Sequence, residues 1–312
     1  MTKKILLCIT TLICASVSGF CQEKKDPNFI QYVVQPEVEI GKTTDFYVRF
    51  SAKPDSIWSE ADQINGLILT DGLSRIVGKV NESKFTDENG KMKSYFSFYT
   101  YMKPEKLGKI DFPVLTMKVK GKEYKSSPFS INVVQQLTVG ADAVKLVLTS
   151  DKAVYSLKDT IAISVYEYSR FITITRKKNK AKKGSLTGKD SEIRISGETN
   201  LDDIAGIKGF EDYVAKNFEL IDFDWDAMGN RKSIENINGT SYVKTKIFTA
   251  GLVPKNKGEF KIEPSEFEYE VYKSNTDYFS KFEPQDNGRY KVTDKGAKQL
   301  QVKSQAIEFK VK

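Results

Sequence analysis

The chain of 312 residues contains no histidine. Histidine is the commonest general base, a common metal ligand and the usual pH switch, so its absence removes all three roles. The cysteines, Cys8, Cys14 and Cys21, all lie in the first 21 residues. Once that segment is removed, the chain has no thiol for a disulfide, a metal site or a nucleophile. We therefore expect a protein without a catalytic centre, a cofactor or a bound metal, stabilised by its packed core.

The first 21 residues have the pattern of an export signal. MTKK is positively charged, and the 13 apolar residues of ILLCITTLICASV are fewer than a membrane-spanning helix needs. Gly19 and Cys21 are small residues at positions −3 and −1 of a cleavage before Gln22. Acylation of Cys21 is the alternative, although Phe20 stands where a small residue is expected. No later run reaches membrane-spanning length, so we expect an exported protein, periplasmic or envelope-associated, without a transmembrane helix.

Beyond the signal, short runs rich in β-branched and aromatic residues recur between turn signals. Examples are FIQYVV, SYFSFYTYM and FSINVV, and later VKLVLTS, SYVKTKIFT and AIEFKVK. Such runs are typical of all-β sandwich domains. A helix of one or two turns is predicted at GFEDYVAKNF, where Phe210, Tyr213, Val214 and Phe218 fall on one face.

The same spacing of a proline and a glycine, typical of a turn between two strands, occurs twice in the chain. KPEKLG and VPKNKG place Pro104 and Gly108, and then Pro254 and Gly258, at one spacing. Proline ends a strand because it cannot donate to the ladder, and a glycine-containing turn then starts the next strand. The repeated spacing therefore predicts the same hairpin corner in two copies of one fold.

Two further segments repeat in the same order. An Asn-Gly pair, Asn89-Gly90 and later Asn238-Gly239, precedes each long strand and predicts a tight hairpin turn. KSSPFSINVV and KSQAIEFKVK align without a gap. We therefore predict an all-β fold of two tandem immunoglobulin-like β-sandwich domains after a cleaved signal peptide. The predicted bounds are 1–21 for the signal, 27–135 for the first domain and 142–312 for the second, with loop insertions at about 174–220 and 272–300.

These repeated segments, with GLILTDGLSR early and ENINGTSYVKTKIFTAGLVPKNKGEFKIEP and DYFSKF later, resemble the BatD family of Bacteroides aerotolerance-type envelope proteins. The resemblance covers nearly the whole chain after the signal, and its motifs mark the fold rather than an active site. It implies a role in oxygen or stress tolerance, with envelope partners that carry von Willebrand A domains and tetratricopeptide repeats. Family members usually continue into a transmembrane helix. This chain ends on a predicted strand, so we expect a short form.

Three carboxylates alternate with apolar residues in DFDWDAMGN. Asp222, Asp224 and Asp226 resemble the start of a calcium loop, but Ala227 and Ser233 stand where an EF-hand needs glycine and glutamate. The alternation favours an amphipathic strand with the carboxylates on its solvent face. A third interpretation follows from the family resemblance: the carboxylates would complete the open metal position of a partner's von Willebrand A domain.

The segment RKKNKAKK carries six basic residues in eight positions. Repulsion among like charges makes it a poor strand, which predicts a solvated loop after RFITIT. The functional alternative is attraction to an anionic surface such as membrane headgroups, envelope polysaccharide or an acidic partner. Nucleic acid is not expected as a partner, because the chain is exported and the run lacks interleaved aromatic residues. The basic residues are Arg176, Lys177, Lys178, Lys180, Lys182 and Lys183.

These patterns favour a non-catalytic exported binding or scaffold protein without a small-molecule substrate. The alternative is a carbohydrate-binding or adhesion module on envelope glycans, with Trp58 and Trp225 as the aromatic candidates. Packing in the sandwich core is the commoner role of such residues and is expected for both. A glycan hydrolase with paired carboxylates is a third hypothesis, although spacing alone identifies no pair. The Gly-Lys-Thr at Gly41 is not a phosphate loop, because Pro36 replaces its first glycine.

Overall fold

A computed structural model describes residues 29–86, 92–177, 200–225, 232–286 and 288–312. The predicted signal peptide and the predicted Asn89-Gly90 turn lie outside these residues. Strands dominate the described chain and its helices are short, so the predicted all-β class is confirmed. In the part of the chain that is described, no helix is both long and apolar enough to cross a membrane.

In the first half of the chain, β-branched and aromatic runs form strands as the sequence predicts. Two short 3-10 turns, Leu73–Arg75 and Val77–Lys79, follow the fifth strand. The strands are β1 (Ile30–Tyr32), β2 (Glu37–Glu39), β3 (Thr44–Phe50), β4 (Ser56–Trp58), β5 (Leu67–Leu69), β6 (Asn81–Thr86), β7 (Met92–Pro104), β8 (Gly108–Phe112), β9 (Thr116–Val119), β10 (Lys122–Lys125) and β11 (Phe129–Val134).

The second half begins at β12 and adds helices to its strands. Its helices are α1 (Leu201–Ala205), α2 (Phe210–Asn217) and α3 (Asn275–Phe279). Its strands are β12 (Val144–Ser150), β13 (Val154–Tyr155), β14 (Ile161–Ser169), β15 (Ile174–Arg176), β16 (Phe218–Trp225), β17 (Lys232–Ile237), β18 (Thr240–Pro254), β19 (Gly258–Ile262), β20 (Glu266–Val271), β21 (Phe282–Pro284), β22 (Tyr290–Val292), β23 (Lys298–Lys303) and β24 (Ile307–Val311).

The second half repeats the strand order of the first. The order β1-β3-β7-β5, with β6 also on β7, corresponds to β12-β14-β18-β16, with β17 also on β18. The sheet β2-β11-β8 corresponds to the sheet β13-β24-β19. The sheet β4-β9-β10 corresponds to the sheet β15-β20-β23. In each copy the short second strand pairs in parallel with the last strand. Asn238 (φ 52°) and Gly239 (φ 84°) form the predicted tight turn between β17 and β18.

Each half buries aromatic side chains between facing sheets. In the first half, Phe46 of β3 stacks on Phe112 of β8 with ring centroids 5.9 Å apart. In the second half, Phe218 of β16 lies 4.9 Å from Phe260 of β19 and 6.1 Å from Phe309 of β24. Aromatic side chains bury large apolar areas, so these contacts stabilise cores that contain no disulfide.

The two halves are joined by a largely buried ion pair and by β17. Arg170 donates from Nη1 to Oε2 of Glu37 at 2.8 Å, and from Nη2 to Oδ1 of Asp142 at 3.0 Å. The Arg170 and Glu37 side chains are only 16% and 10% exposed, so both charges are mostly removed from water. Ile234 of β17 packs against the core of the first half. The halves are therefore held by specific contacts as well as by the connecting chain.

Replacing Arg170 with alanine leaves the Glu37 carboxylate buried without its partner. We expect this change to lower the free energy of unfolding by about 3 kcal/mol, measured by urea unfolding and circular dichroism. The control is Lys310→Ala, which removes an exposed ion pair to Glu259 at 2.9 Å and should change stability very little. An unchanged stability for Arg170→Ala would show that the ion pair between the halves is energetically neutral.

The missing histidine also predicts the pH profile of stability. Hydrogen bonds from Ser74 lower the pKa of Asp62, and hydrogen bonds from Ser156 lower the pKa of Asp159. Because these pKa values are lower in the folded state, their stabilisation is present above about pH 4 and lost as the pH falls below it. The calorimetric unfolding temperature should stay flat between about pH 6 and pH 8, where no imidazole titrates. A clear step in that range would contradict this prediction.

Candidate functional site

The duplicated topology shows where the second half has additional structure. Residues 59–66 join β4 to β5, whereas residues 177–217 separate β15 from β16 and include α1 and α2. The pair Lys120-Gly121 joins β9 to β10, whereas residues 272–297 separate β20 from β23 and include α3, β21 and β22. The first copy forms its sheets without these additions, so a role beyond completing the sheets is expected for them.

β16 is an outer strand that presents apolar side chains to solvent. Among the described strands it pairs only with β18, so it forms one edge of the sheet that these strands build. Leu220, Ile221 and Phe223 are 40%, 52% and 37% exposed, whereas Trp225 packs against the core. The predicted strand is present, but its apolar residues are not buried as an amphipathic strand requires. The pairing register between β16 and β18 shifts between Leu220 and Asp222. This irregularity interrupts the regular alternation of inward and outward side chains along β16, which is the physical reason for their exposure.

Side-chain caps position the two helices beside β16. The Asn200 side chain accepts a hydrogen bond from the Asp203 amide at 2.8 Å and so caps α1. The Asp202 carboxylate accepts hydrogen bonds from the Gly209 and Glu211 amides at 2.6 and 2.8 Å. These amides lie at the start of α2, where a negative charge is favoured by the helix dipole. The carboxylate therefore links the two helices into one unit.

α2 confirms the helix predicted from the sequence. Phe210 and Val214 are buried on its inner face, whereas Phe218 begins β16 rather than lying on the helix. The helices and β16 enclose a groove of about 610 Å³. Its apolar lining consists of Leu201, Ile204, Val214, Phe218, Leu220 and Phe223.

The surface formed by α1, α2 and β16, here called the acidic edge, is strongly negative. Residues 201–225 contain seven acidic and two basic residues, a net −5, in a chain whose net charge is +8. The acidic residues are Asp202, Asp203, Glu211, Asp212, Glu219, Asp222 and Asp224. The groove is therefore mostly apolar in its lining, with Glu211 at its border and a segment of net −5 around it.

The predicted carboxylates on β16 differ in their surroundings. Asp224 accepts a hydrogen bond from Lys246 at 2.6 Å, so its negative charge is paired within the fold. Asp222 is exposed, and its carboxylate accepts the amide hydrogen of Phe223 at 2.8 Å. Within the described residues Asp222 forms no ion pair, and no cluster of three or more metal-binding side chains is present. Asp226 lies outside these residues.

The first two residues of the predicted basic loop, Arg176 and Lys177, form contacts within the fold. Arg176 is the last residue of β15, and its guanidinium lies 3.9 Å from Glu167 and 5.0 Å from the Phe267 ring. Lys177 donates to Glu268 at 2.9 Å, and this hydrogen bond raises the lysine pKa. Both cations therefore have anionic partners within the fold and are poor candidates for an anionic surface. Lys178, Lys180, Lys182 and Lys183 lie outside the described residues.

Of the two tryptophans, only Trp58 departs from the expected core packing. Trp225 is partly buried against the second core, but Trp58 is 43% exposed because β4 is an outer strand. Sequence reasoning missed Tyr95, Tyr99 and Tyr101, which alternate along β7 and are exposed on one face. The period-two spacing in SYFSFYTYM was the available signal. The rings of Tyr99 and Tyr101 are inclined by 73°, so they do not form a flat stacking surface.

The repeated topology defines a tandem β-sandwich protein with helical and hairpin additions in its second copy. The sequence profile described as BatD DUF11 like domain matches residues 32–133 and 187–280, which is more than half of the chain. The chain belongs to the BatD family, as its sequence motifs indicated. No curated protein matches it.

Several solved structures show distant similarity. The Yersinia pseudotuberculosis adhesin InvE is 9% identical with a TM-score of 0.17, and the match covers 88% of this chain but only 59% of that one. The D00-D0 domain of Intimin is 8% identical with a TM-score of 0.17, covering 90% and 98% of the two chains. The C-terminal domain of the Streptococcus pyogenes protein AspA is 7% identical with a TM-score of 0.19, covering 91% and 100%. Similarity this low carries no argument about function.

Proposed function

We propose that this protein is a non-catalytic, exported binding protein that acts as a scaffold in an envelope assembly for oxygen or stress tolerance. Membership of the BatD family supports this role, because the family resemblance implies envelope partners with von Willebrand A domains and tetratricopeptide repeats. The chain has no histidine, and it has no cysteine beyond residue 21. It therefore lacks the side chains most often used for acid–base and nucleophilic catalysis.

The observation that carries the proposal is the acidic edge. Ile221 and Phe223 are exposed beside an apolar groove, and exposed apolar patches with polar rims mark interaction sites. Covering such a patch stabilises a complex by roughly 25 cal/mol per Å² of apolar area removed from water. The negative surroundings favour a partner surface that carries positive charge or a metal ion. We therefore assign the acidic edge as a docking surface for another envelope protein.

We infer that the partner is a von Willebrand A-domain protein and that Asp222 contacts its metal ion. The resemblance implies partners with such domains, which often hold a divalent metal with an open position. Carboxylate oxygens are the ligands that hard divalent cations prefer. Asp222 is exposed and outside any ion pair of the described residues, whereas Asp224 is bonded to Lys246. Asp222 is therefore the carboxylate of the acidic edge that we assign as the ligand of the partner's metal ion.

The substitution Asp222→Asn should weaken binding of the A-domain partner at least tenfold, because a neutral amide is a poorer ligand for a divalent cation. Calorimetric titration of the exported chain with the purified A domain in Mg²⁺ measures the affinity. EDTA should weaken the wild-type complex to a similar extent. The matched control is Asp224→Asn, which should bind like wild type because Lys246 already engages that charge.

Equal affinities for wild type and Asp222→Asn in Mg²⁺ would exclude the metal contact. The double variant Ile221→Ser/Phe223→Ser tests the apolar part of the acidic edge separately, since it should weaken binding with or without metal. Ile221 is 52% exposed, whereas the Phe223 ring lies 5.4 Å from that of the buried Phe248, so circular dichroism has to establish that the variant is folded. If none of these variants alters the affinity, the acidic edge is not the docking surface.

Carbohydrate binding or adhesion on envelope glycans is the competing function. Trp58 is exposed on its own outer strand, and the tyrosine rings of β7 are inclined to one another, so neither offers a broad platform for a sugar. Affinity capture from solubilised envelopes separates the two functions. Recovery of glycans without a specific protein partner would reverse the order of the hypotheses.

A further inference from the structure

The addition between β20 and β23, here called the hairpin insertion, concentrates exposed apolar side chains. It comprises residues 272–297, of which all but residue 287 are described, and it replaces a two-residue turn of the first copy. Phe279, Tyr290 and Val292 are 65%, 67% and 64% exposed. Single exposed apolar residues are ordinary on protein surfaces, but three within one short insertion form a candidate contact surface.

These side chains form one continuous surface, here called the apolar tip. Tyr290 and Val292 lie two residues apart on β22, so they point to the same side of the hairpin. Val292 is paired directly opposite Phe282 of β21. The Tyr278 ring lies 5.8 Å from that of Phe282 and 5.4 Å from that of Phe279. The apolar tip therefore runs from the end of α3 across the two strands.

A buried lysine at the centre of the hairpin insertion holds its parts together. Lys281 is only 7% exposed, and its ammonium lies 3.9 Å from the Tyr278 ring centroid, 5.1 Å from that of Phe282 and 5.4 Å from that of Tyr272. A cation over several aromatic rings is attracted to their negative faces. The amide of Thr293 also donates to the Lys281 carbonyl at 2.9 Å. The apolar tip is therefore presented by an ordered element.

The charge around the apolar tip is opposite to that of the acidic edge. Residues 272–297 contain five basic and four acidic residues, a net +1. Arg289, Lys291 and Lys295 are exposed, and Glu283 lies opposite Lys291 in the hairpin. Long basic side chains can place their charge at lipid phosphates while their stems lie along apolar surface. The basic residues are Lys273, Lys281, Arg289, Lys291 and Lys295, and the acidic ones are Asp277, Glu283, Asp286 and Asp294.

The size and composition of the apolar tip fit a lipid surface better than a protein. A stable protein interface buries roughly 800 Å² on each partner, which is more than a few side chains on a three-residue strand provide. Aromatic residues with a polar end, such as Tyr290, are enriched at the level of lipid headgroups. Neighbouring lysine and arginine add attraction to anionic lipids.

We propose that the apolar tip inserts into the headgroup region of an anionic phospholipid bilayer, with the exposed basic side chains of the hairpin insertion contacting lipid phosphates. This surface is separate in sequence from the acidic edge. The proposal does not rest on the identity of the protein proposed to bind there.

Sedimentation with vesicles of phosphatidylethanolamine and phosphatidylglycerol tests the proposal, using the exported chain from Gln22. The triple variant Phe279→Ser/Tyr290→Ser/Val292→Ser should lower the bound fraction at least tenfold. The matched control, Leu220→Ser/Ile221→Ser/Phe223→Ser, removes exposed apolar side chains from the acidic edge and should bind like wild type. Every substituted residue is exposed, so circular dichroism should show all three proteins folded.

Two further measurements separate insertion from adsorption by charge. Fluorescence of Phe279→Trp should shift to shorter wavelength on these vesicles and be quenched by brominated lipid more than wild type. Vesicles of phosphatidylcholine alone should bind at least fivefold less protein than the anionic ones, and added salt should weaken the anionic binding. Absence of wild-type binding, or equal binding by wild type and the triple variant, would overturn the proposal. Equal binding to neutral and anionic vesicles would overturn the role assigned to the basic residues.

Discussion

Backbone hydrogen bonding along β18 is the constraint on which the surfaces of the second half depend. One side of this strand pairs with β14, and the other side is shared by β17 near its start and by β16 near its end. Because β17 occupies the first part of that side, Ile234 is carried to the core of the first half. β16 is left as the outer strand beside α1 and α2. The contact between the halves and the acidic edge are therefore consequences of one pairing pattern.

Duplication provides an internal reference for separating folding from function. Both copies build the same sheet order, and the first copy does so with short connections. The helices of the acidic edge and the hairpin insertion are additions to the second copy, and the two surfaces differ in the sign of the net charge of their residues. In the proposals made above, these surfaces contact two different kinds of partner.

Much of the fold could be predicted because it depends on local patterns. Period-two runs located the strands, proline and glycine located the corners after β7 and β18, and one apolar face located α2. The candidate site was less predictable. The exposure of Ile221 depends on a register shift between neighbouring strands, which alternation along one strand does not encode. The pairing of the Arg176 charge could not be predicted either. Glu167 and Phe267 come close to it only because separate sheets pack together.

The sequence by itself determined the all-β class, the duplicated order of segments and the absence of imidazole chemistry, because composition and short-range periodicity are properties of the chain. Tertiary structure alone decided which charges are paired and which apolar side chains stay in water. Arg170 meets Glu37 across 133 positions, whereas Asp222 keeps its carboxylate at the surface. Such outcomes depend on strand register and on the docking of the two halves, which are set by the sum of many long-range contacts.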